Sequence, residues 1–226
     1  MKKIIKYLFL LTGGSFILAS CNDFLDREPL DSVTPDNFFF TENDLAAYAV
    51  KHYNFTTHEG FNAGIWRNDN ATDNQAATDY DKKWIPGQWK VPEAYDNPAS
   101  NDPWYFSAIR EANYFLETVV PRFEKGEIEG SETNIKHYIG EMYFLRAKNY
   151  LSKLETFGDF PIIKNTLPDE SASLIQASKR EPRHKVARFI LEDLDLAIGL
   201  LTNTISGGKN RITQNAALLL KSRAAL

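Results

Sequence analysis

The sequence predicts a mainly α-helical fold, built from TPR-like helix pairs joined by long irregular loops. Three observations carry that prediction. Apolar residues recur at three- and four-residue spacing through most of the chain after residue 102. These stretches open at Asp102-Pro103, Ser131, Pro182 and Thr213, and the first two stop at Pro121 and Gly158. The starts within each pair also fall about thirty residues apart, the rhythm of stacked helix pairs.

The amino terminus is of a different kind. Lys2, Lys3 and Lys6 lead an apolar run from Tyr7 to Leu18, which closes in Leu18-Ala19-Ser20-Cys21. A basic start, a short apolar run and small residues before a cut site make a secretory signal over 1–20. The run is too short to span a bilayer, which needs about 20 apolar residues. Cys21, the single cysteine of the chain, stands where a lipoprotein signal places the thiol that takes a diacylglyceryl thioether. The segment resembles a lipobox. Residues 21–40, with Asn22-Asp23-Phe24-Leu25-Asp26 at their start, are expected to form the lipidated tether, and residues 41–226 the helical domain.

Within that domain Thr41-Glu42-Asn43-Asp44 has the form of a capping box, and Leu45, Tyr48 and His52 continue at helical spacing, so a helix is expected from 42 to 54. Residues 56–102 then show no sustained period and are rich in Asn, Asp, Gly and Pro. They hold three of the four tryptophans, Trp66, Trp84 and Trp89. An aperiodic loop of that length inside a domain points to function. Asp102-Pro103 opens the next helix, with Tyr105, Ile109, Ala112, Leu116 and Val119 on its inner face and Pro121 as its end. Ser131 opens another, whose face of Ile135, Ile139, Met142, Leu145, Tyr150 and Leu154 runs to Gly158, read as a left-handed cap. After an interval with a short extended piece at Pro161-Ile162-Ile163, Pro182 starts a helix with Val186, Phe189, Ile190, Leu194, Ala197 and Leu201 inward, and Thr213 caps a last one. The chain stops at Leu226 inside an apolar helical pattern, as expected of a domain that continues beyond it.

Composition narrows the chemistry. With 43% hydrophobic and 25% charged residues the chain is globular, and its net charge of −4 becomes −7 once Lys2, Lys3 and Lys6 leave with the signal. Nucleic-acid backbones call for clustered cations, so such a partner is not expected. One cysteine allows no internal disulfide and no Cys-rich zinc site. His52, His58, His137 and His184 show no metal-ligand spacing, and neither a His-Glu-x-x-His nor a Gly-x-Ser-x-Gly motif occurs. Asp69, Asp73, Asp79 and Asp81 lie in a polar loop, where carboxylates mostly form turns. No catalytic residue, metal or cofactor is assigned, and the chain is not read as an enzyme.

Cys21 to Asp26 with Pro29; Asn37-Phe38-Phe39; Trp104-Tyr105 through Ile109 to Ala112-Asn113; Glu141 through Phe144-Leu145-Arg146-Ala147 to Tyr150; Phe157-Gly158-Asp159-Phe160-Pro161; Arg180 through Arg183; Asp193-Leu194; Arg211-Ile212-Thr213; and Ala216-Ala217 through Arg223 follow one another in an order and spacing that resemble the SusD/RagB family of nutrient-binding outer-membrane lipoproteins. The acidic stretch after Cys21 likewise resembles the surface-export signal of Bacteroidetes lipoproteins. The resemblance implies a surface-exposed lipoprotein of the outer membrane that binds oligosaccharide or polysaccharide and delivers it to a SusC-like TonB-dependent transporter. Family members are considerably longer, so this chain matches their amino-terminal part.

A sugar site needs exposed rings for C–H faces and planar polar groups for hydroxyls. Trp66-Arg67-Asn68-Asp69-Asn70, Asp73 and Trp84 supply that mixture, and Trp84, Trp66, Arg67, Asn70 and Asp73 are the expected carbohydrate contacts. Trp104 is expected to pack between helices, and Arg146 to pair with Glu141 or Asp193. The competing reading is an outer-membrane lipoprotein whose TPR-like helices bind another protein, because exposed aromatics serve protein interfaces as well.

Overall fold

The computed structural model describes residues 38–53, 55, 85–87, 104–204 and 210–226. Among the described residues are six helices: α1 (Glu42–Lys51), α2 (Ser107–Lys125), α3 (Glu132–Phe157), α4 (Ser171–Ala177), α5 (Arg183–Leu200) and α6 (Gln214–Ala225). Extended pairing among them is confined to isolated bridges. The fold is the mainly helical, paired arrangement that the spacing predicts. The long helix α3 is its centre, with α1, α2 and α5 packed on it, and α6 rests on α5.

α1 starts on its capping box. Thr41 Oγ1 accepts from the Asp44 N–H at 3.3 Å, and Asp44 Oδ2 accepts from the Thr41 N–H at 3.0 Å, so orphan donors at the helix start are satisfied reciprocally. The helix ends at Lys51 with His52 as its cap, earlier than the expected residue 54. Ahead of it Phe39 is fully buried, edge-on to Tyr48 and Phe115 at 5.0 and 5.3 Å.

α2 departs from expectation at both ends. It begins at Ser107 rather than at Pro103, and Tyr105, expected on the inner face, is 40% exposed, while Phe106 packs against the core. At the other end the helix runs through Pro121 to Lys125. Pro121 and Glu117, whose carbonyl loses its helical donor, are both exposed residues, so the break falls on the outer side of the helix. Val119 and Val120 before it and Phe123 after it all pack on the core and carry the helix past the break. Closure comes at Gly126, left-handed at φ 71°, ψ 27°, whose N–H reaches Phe123 O.

α3 spans the predicted stretch, and its predicted face is buried except for Leu154, which is partly covered. Gly158 has φ 72° but ψ −100°, outside the left-handed helical region. That corrects the expected cap geometry, although the positive φ still calls for glycine. The chain then makes an excursion closed by the antiparallel bridge between Phe160 and Glu181, each N–H donating to the other's carbonyl at 3.1 Å. Inside the excursion lies α4, a single short helix with no buried residue that periodicity does not announce. α5 buries Val186, Phe189, Ile190, Leu194, Ala197 and the following Leu201, as predicted. Thr213 caps α6 by accepting from the Ala216 N–H at 3.3 Å.

Candidate functional site

The residues expected to carry function, Cys21, Trp66, Arg67, Asn70, Asp73 and Trp84, lie outside the described residues, as does Trp89. The tryptophan that is described, Trp104, stands where the aperiodic stretch gives way to α2. Its ring lies 4.0 Å from that of Phe157 and 5.7 Å from that of Phe160, and the Arg180 guanidinium covers it at 4.8 Å. This is the packing role expected from sequence: the ring is occupied by protein groups.

An open cavity of about 340 Å³ lies beside it, between the start of α2, the 161–167 segment and α4. Trp104, Phe106, Ile109, Pro161, Ile163 and Leu174 make its lining mainly apolar. Its one fully buried polar group is Asn113, and that amide is already committed. Asn113 Nδ2 donates to Ile163 O at 2.8 Å, and its Oδ1 accepts from Arg146 Nη1 at 2.9 Å. Arg110, Asn165 and Ser178 remain as polar lining, and the Ser178 hydroxyl already donates to Ile175 O at 2.7 Å. The cavity therefore suits an apolar group better than a sugar, which needs a hydrogen-bond partner for nearly every hydroxyl.

Beneath the cavity floor sits a buried polar network. Arg146 donates from Nε and Nη2 to the two carboxylate oxygens of Asp193, at 2.7 and 2.8 Å, the bidentate fork that guanidinium geometry favours. Burial raises the Asp193 pKa above the ordinary carboxylate value, against the opposing pull of Arg146. The Tyr150 hydroxyl donates to Ile163 O at 3.1 Å and accepts from the Ile163 N–H at 2.8 Å, and burial pushes its pKa up to about 12. These bonds fasten the 161–165 segment to α2 and α3, and α3 to α5, so the network positions the cavity wall and offers no free reactive group.

A second buried network was not read from sequence. Glu141, completely buried on α3, accepts from Arg211 Nε at 2.8 Å and from Nη2 of the same side chain, and lies 3.1 Å from His137 Nε2. His137 Nδ1 in turn meets Thr202. The group ties the loop before α6 to the middle of α3. The four-residue spacing of His137 and Glu141 was the visible signal; that Arg211 reaches them across 70 residues was not. Among the described residues no group of three or more His, Cys, Asp or Glu is placed to hold a metal ion, and no helix is long and apolar enough to cross a membrane.

Comparison with known proteins places this geometry. Residues 23–226 match a SusD-like family model described as starch-binding, associating with the outer membrane. SusD-like protein P2 of Formosa agariphila is 26% identical over 193 residues, which cover 83% of this chain and 36% of that protein. SusD-like protein P38 of the same organism is 28% identical over 203 residues, covering 88% and 37%. A crystal structure of a SusD-like protein from Bacteroides fragilis superposes with a TM-score of 0.62 at 25% identity, over 88% of this chain and 37% of that one. The chain thus spans a little over a third of the length of these relatives.

Proposed function

The chain belongs to the SusD/RagB family, and from that premise we propose that it is the amino-terminal part of a cell-surface lipoprotein that captures oligosaccharides and passes them to a SusC-like TonB-dependent transporter. The observation that carries the reading is the family match over 23–226, whose description couples starch binding to the outer membrane. On this reading 1–20 is the signal, Cys21 the lipid-bearing residue, 21–40 the tether and 41–226 the first part of the binding body. Trp84 and Trp66 provide stacking rings, and Arg67, Asn70 and Asp73 provide hydrogen bonds to hydroxyls. The role is binding and delivery; none of the residues assigned to it is a catalyst.

The apolar character of the cavity beside Trp104 favours a second role for the helical body, as a seat for an apolar side chain of a partner protein. The two readings separate experimentally. Affinity electrophoresis of the full-length protein through gels containing individual polysaccharides should show retardation by at least one glycan. Free migration through a broad panel, with co-purification of a β-barrel transporter retained, would leave only the protein-interaction role. For the anchor, Cys21→Ala should release the protein from the outer-membrane fraction, and continued fractionation with that membrane would refute lipidation there.

A further inference from the structure

Residues 179–188 carry five cations, Lys179, Arg180, Arg183, Lys185 and Arg188, with His184 among them and Glu181 as the single carboxylate. In a chain whose net charge is −4 this stretch inverts the local sign. All five cationic residues are exposed. Little in the fold neutralises them. Lys185 Nζ lies 2.8 Å from Glu181 Oε2, and Arg180 rests over Trp104. Asp159 accepts from the backbone N–H of Arg183, leaving its guanidinium unused. Among the described residues the side chains of Lys179, Arg183 and Arg188 have no ion-pair partner.

The placement is also unfavourable for the helix. α5 has no acidic residue in its first turn, so Arg183 and Lys185 stand against the positive end of the helix dipole. Positions 184, 185 and 188 share the face opposite the buried Val186, Phe189 and Ile190, because residues three and four apart are neighbours on a helix. Lys179 and Arg180 precede them on the loop. The result is a band of positive charge directed to solvent around the start of α5, with Arg183 on one flank and Lys185 and Arg188 toward the other, which suits a ligand of repeated negative charge. Insertion into a lipid surface needs apolar side chains on the same face; the exposed Leu174 and Ile175 stand on α4, and the α5 face at 184, 185 and 188 adds none, so binding to lipid vesicles decides this alternative. A protein partner of high affinity needs a buried anchor, which the row does not provide.

We propose that the exposed row Lys179–Arg188 is a docking surface for an anionic polysaccharide, one whose successive sugars carry carboxylate or sulfate groups. This rests on the glycan-binding reading above and adds the charge class of the glycan. Arginine forks bind either group through paired charge-assisted hydrogen bonds, and lysine adds point charge.

The test uses the full-length protein, at about 0.15 M salt so that weak long-range attraction is screened, against polygalacturonate, dextran sulfate and neutral dextran. Retention by a polyanion and free migration with dextran are expected; the polyanion that retains more identifies carboxylate or sulfate as the preferred group. The triple variant Arg183→Gln, Lys185→Gln, Arg188→Gln alters exposed side chains only and removes cations from the positive end of α5, so its melting midpoint should be no lower than that of the parent while polyanion affinity falls tenfold or more. Unchanged affinity of the variant overturns the proposal, as does equal retention by dextran. A loss confined to co-sedimentation with phosphatidylglycerol vesicles, with polyanion binding intact, assigns the row to a membrane surface instead. Retardation by neutral glycans but by neither polyanion overturns this inference and leaves the broader one standing, whereas no retardation by any glycan removes both.

Discussion

Arg146 shows how much of the interior depends on one side chain. Its fork on Asp193 and its bond to Asn113 satisfy groups that have no access to water. Arg146→Met alone should cost roughly 3–5 kcal/mol in urea unfolding, because the Asp193 carboxylate stays buried without its partner. Adding Asp193→Leu should recover most of that loss, since an apolar pair carries no desolvation penalty; a double variant as unstable as the single one would contradict this. The sequence narrowed the partner of Arg146 to Glu141 or Asp193. Helix geometry decides between them, because five residues turn the helix by about 140° beyond a full turn and put Glu141 on another side. His52 adds a dependence on pH. Burial lowers its pKa below the ordinary imidazole value of 6.5, outweighing Glu111 3.2 Å away, and its Nε2 has no hydrogen-bond partner among the described residues. The unfolded chain therefore takes up the proton first, so the stability contributed by neutral His52 is present above pH 6.5 and is lost as pH falls through and below that value. Unfolding free energy should drop between pH 7 and pH 5, and the drop should shrink in His52→Gln; an identical drop in the variant would exclude His52 as its source.

At the scale of elements, the departures from expectation have separate physical origins. Pro121 was read as a stop because proline removes a helical hydrogen bond, yet apolar packing of Val119, Val120 and Phe123 continues across it and Gly126 supplies the actual stop. A proline kept at an exposed interior position still carries its conformational cost, reduced by the stiffness it lends the unfolded chain. Pro121→Ala should therefore raise stability by about 1–2 kcal/mol, measured as a higher urea midpoint at unchanged slope; a lowered midpoint would show that the proline stabilises α2 as it stands. The short helix α4 escaped prediction for the opposite reason. Seven residues with no buried face leave no apolar period to read. The capping box of α1 and the Thr213 cap of α6 are legible because each depends on hydrogen bonds between near neighbours in the sequence, and the Pro182 start of α5 because the fixed φ of proline suits a helix start without a capping bond. The Arg211–Glu141–His137 group was not, because it joins segments that only the folded chain brings together.

Across the molecule, α2 with α3 and α5 with α6 form the two helix pairs that spacing suggested, packed through the α3–α5 contact. The sequence also separated two uses of tryptophan. Trp104 has its ring engaged by Phe157, Phe160 and Arg180, as a packing residue should, whereas the stacking role is the one proposed above for Trp84 in the aperiodic loop. That division is the central point of the proposed glycan-binding role. It is tested most directly by calorimetric titration of a glycan that retards the full-length protein, into the parent and into Trp84→Ala, with the melting midpoint of each. The expected result is an affinity weakened about tenfold or more, the equivalent of about 1.4 kcal/mol, at an unchanged midpoint. Unchanged affinity with a lowered midpoint would contradict it and make Trp84 a packing residue like Trp104.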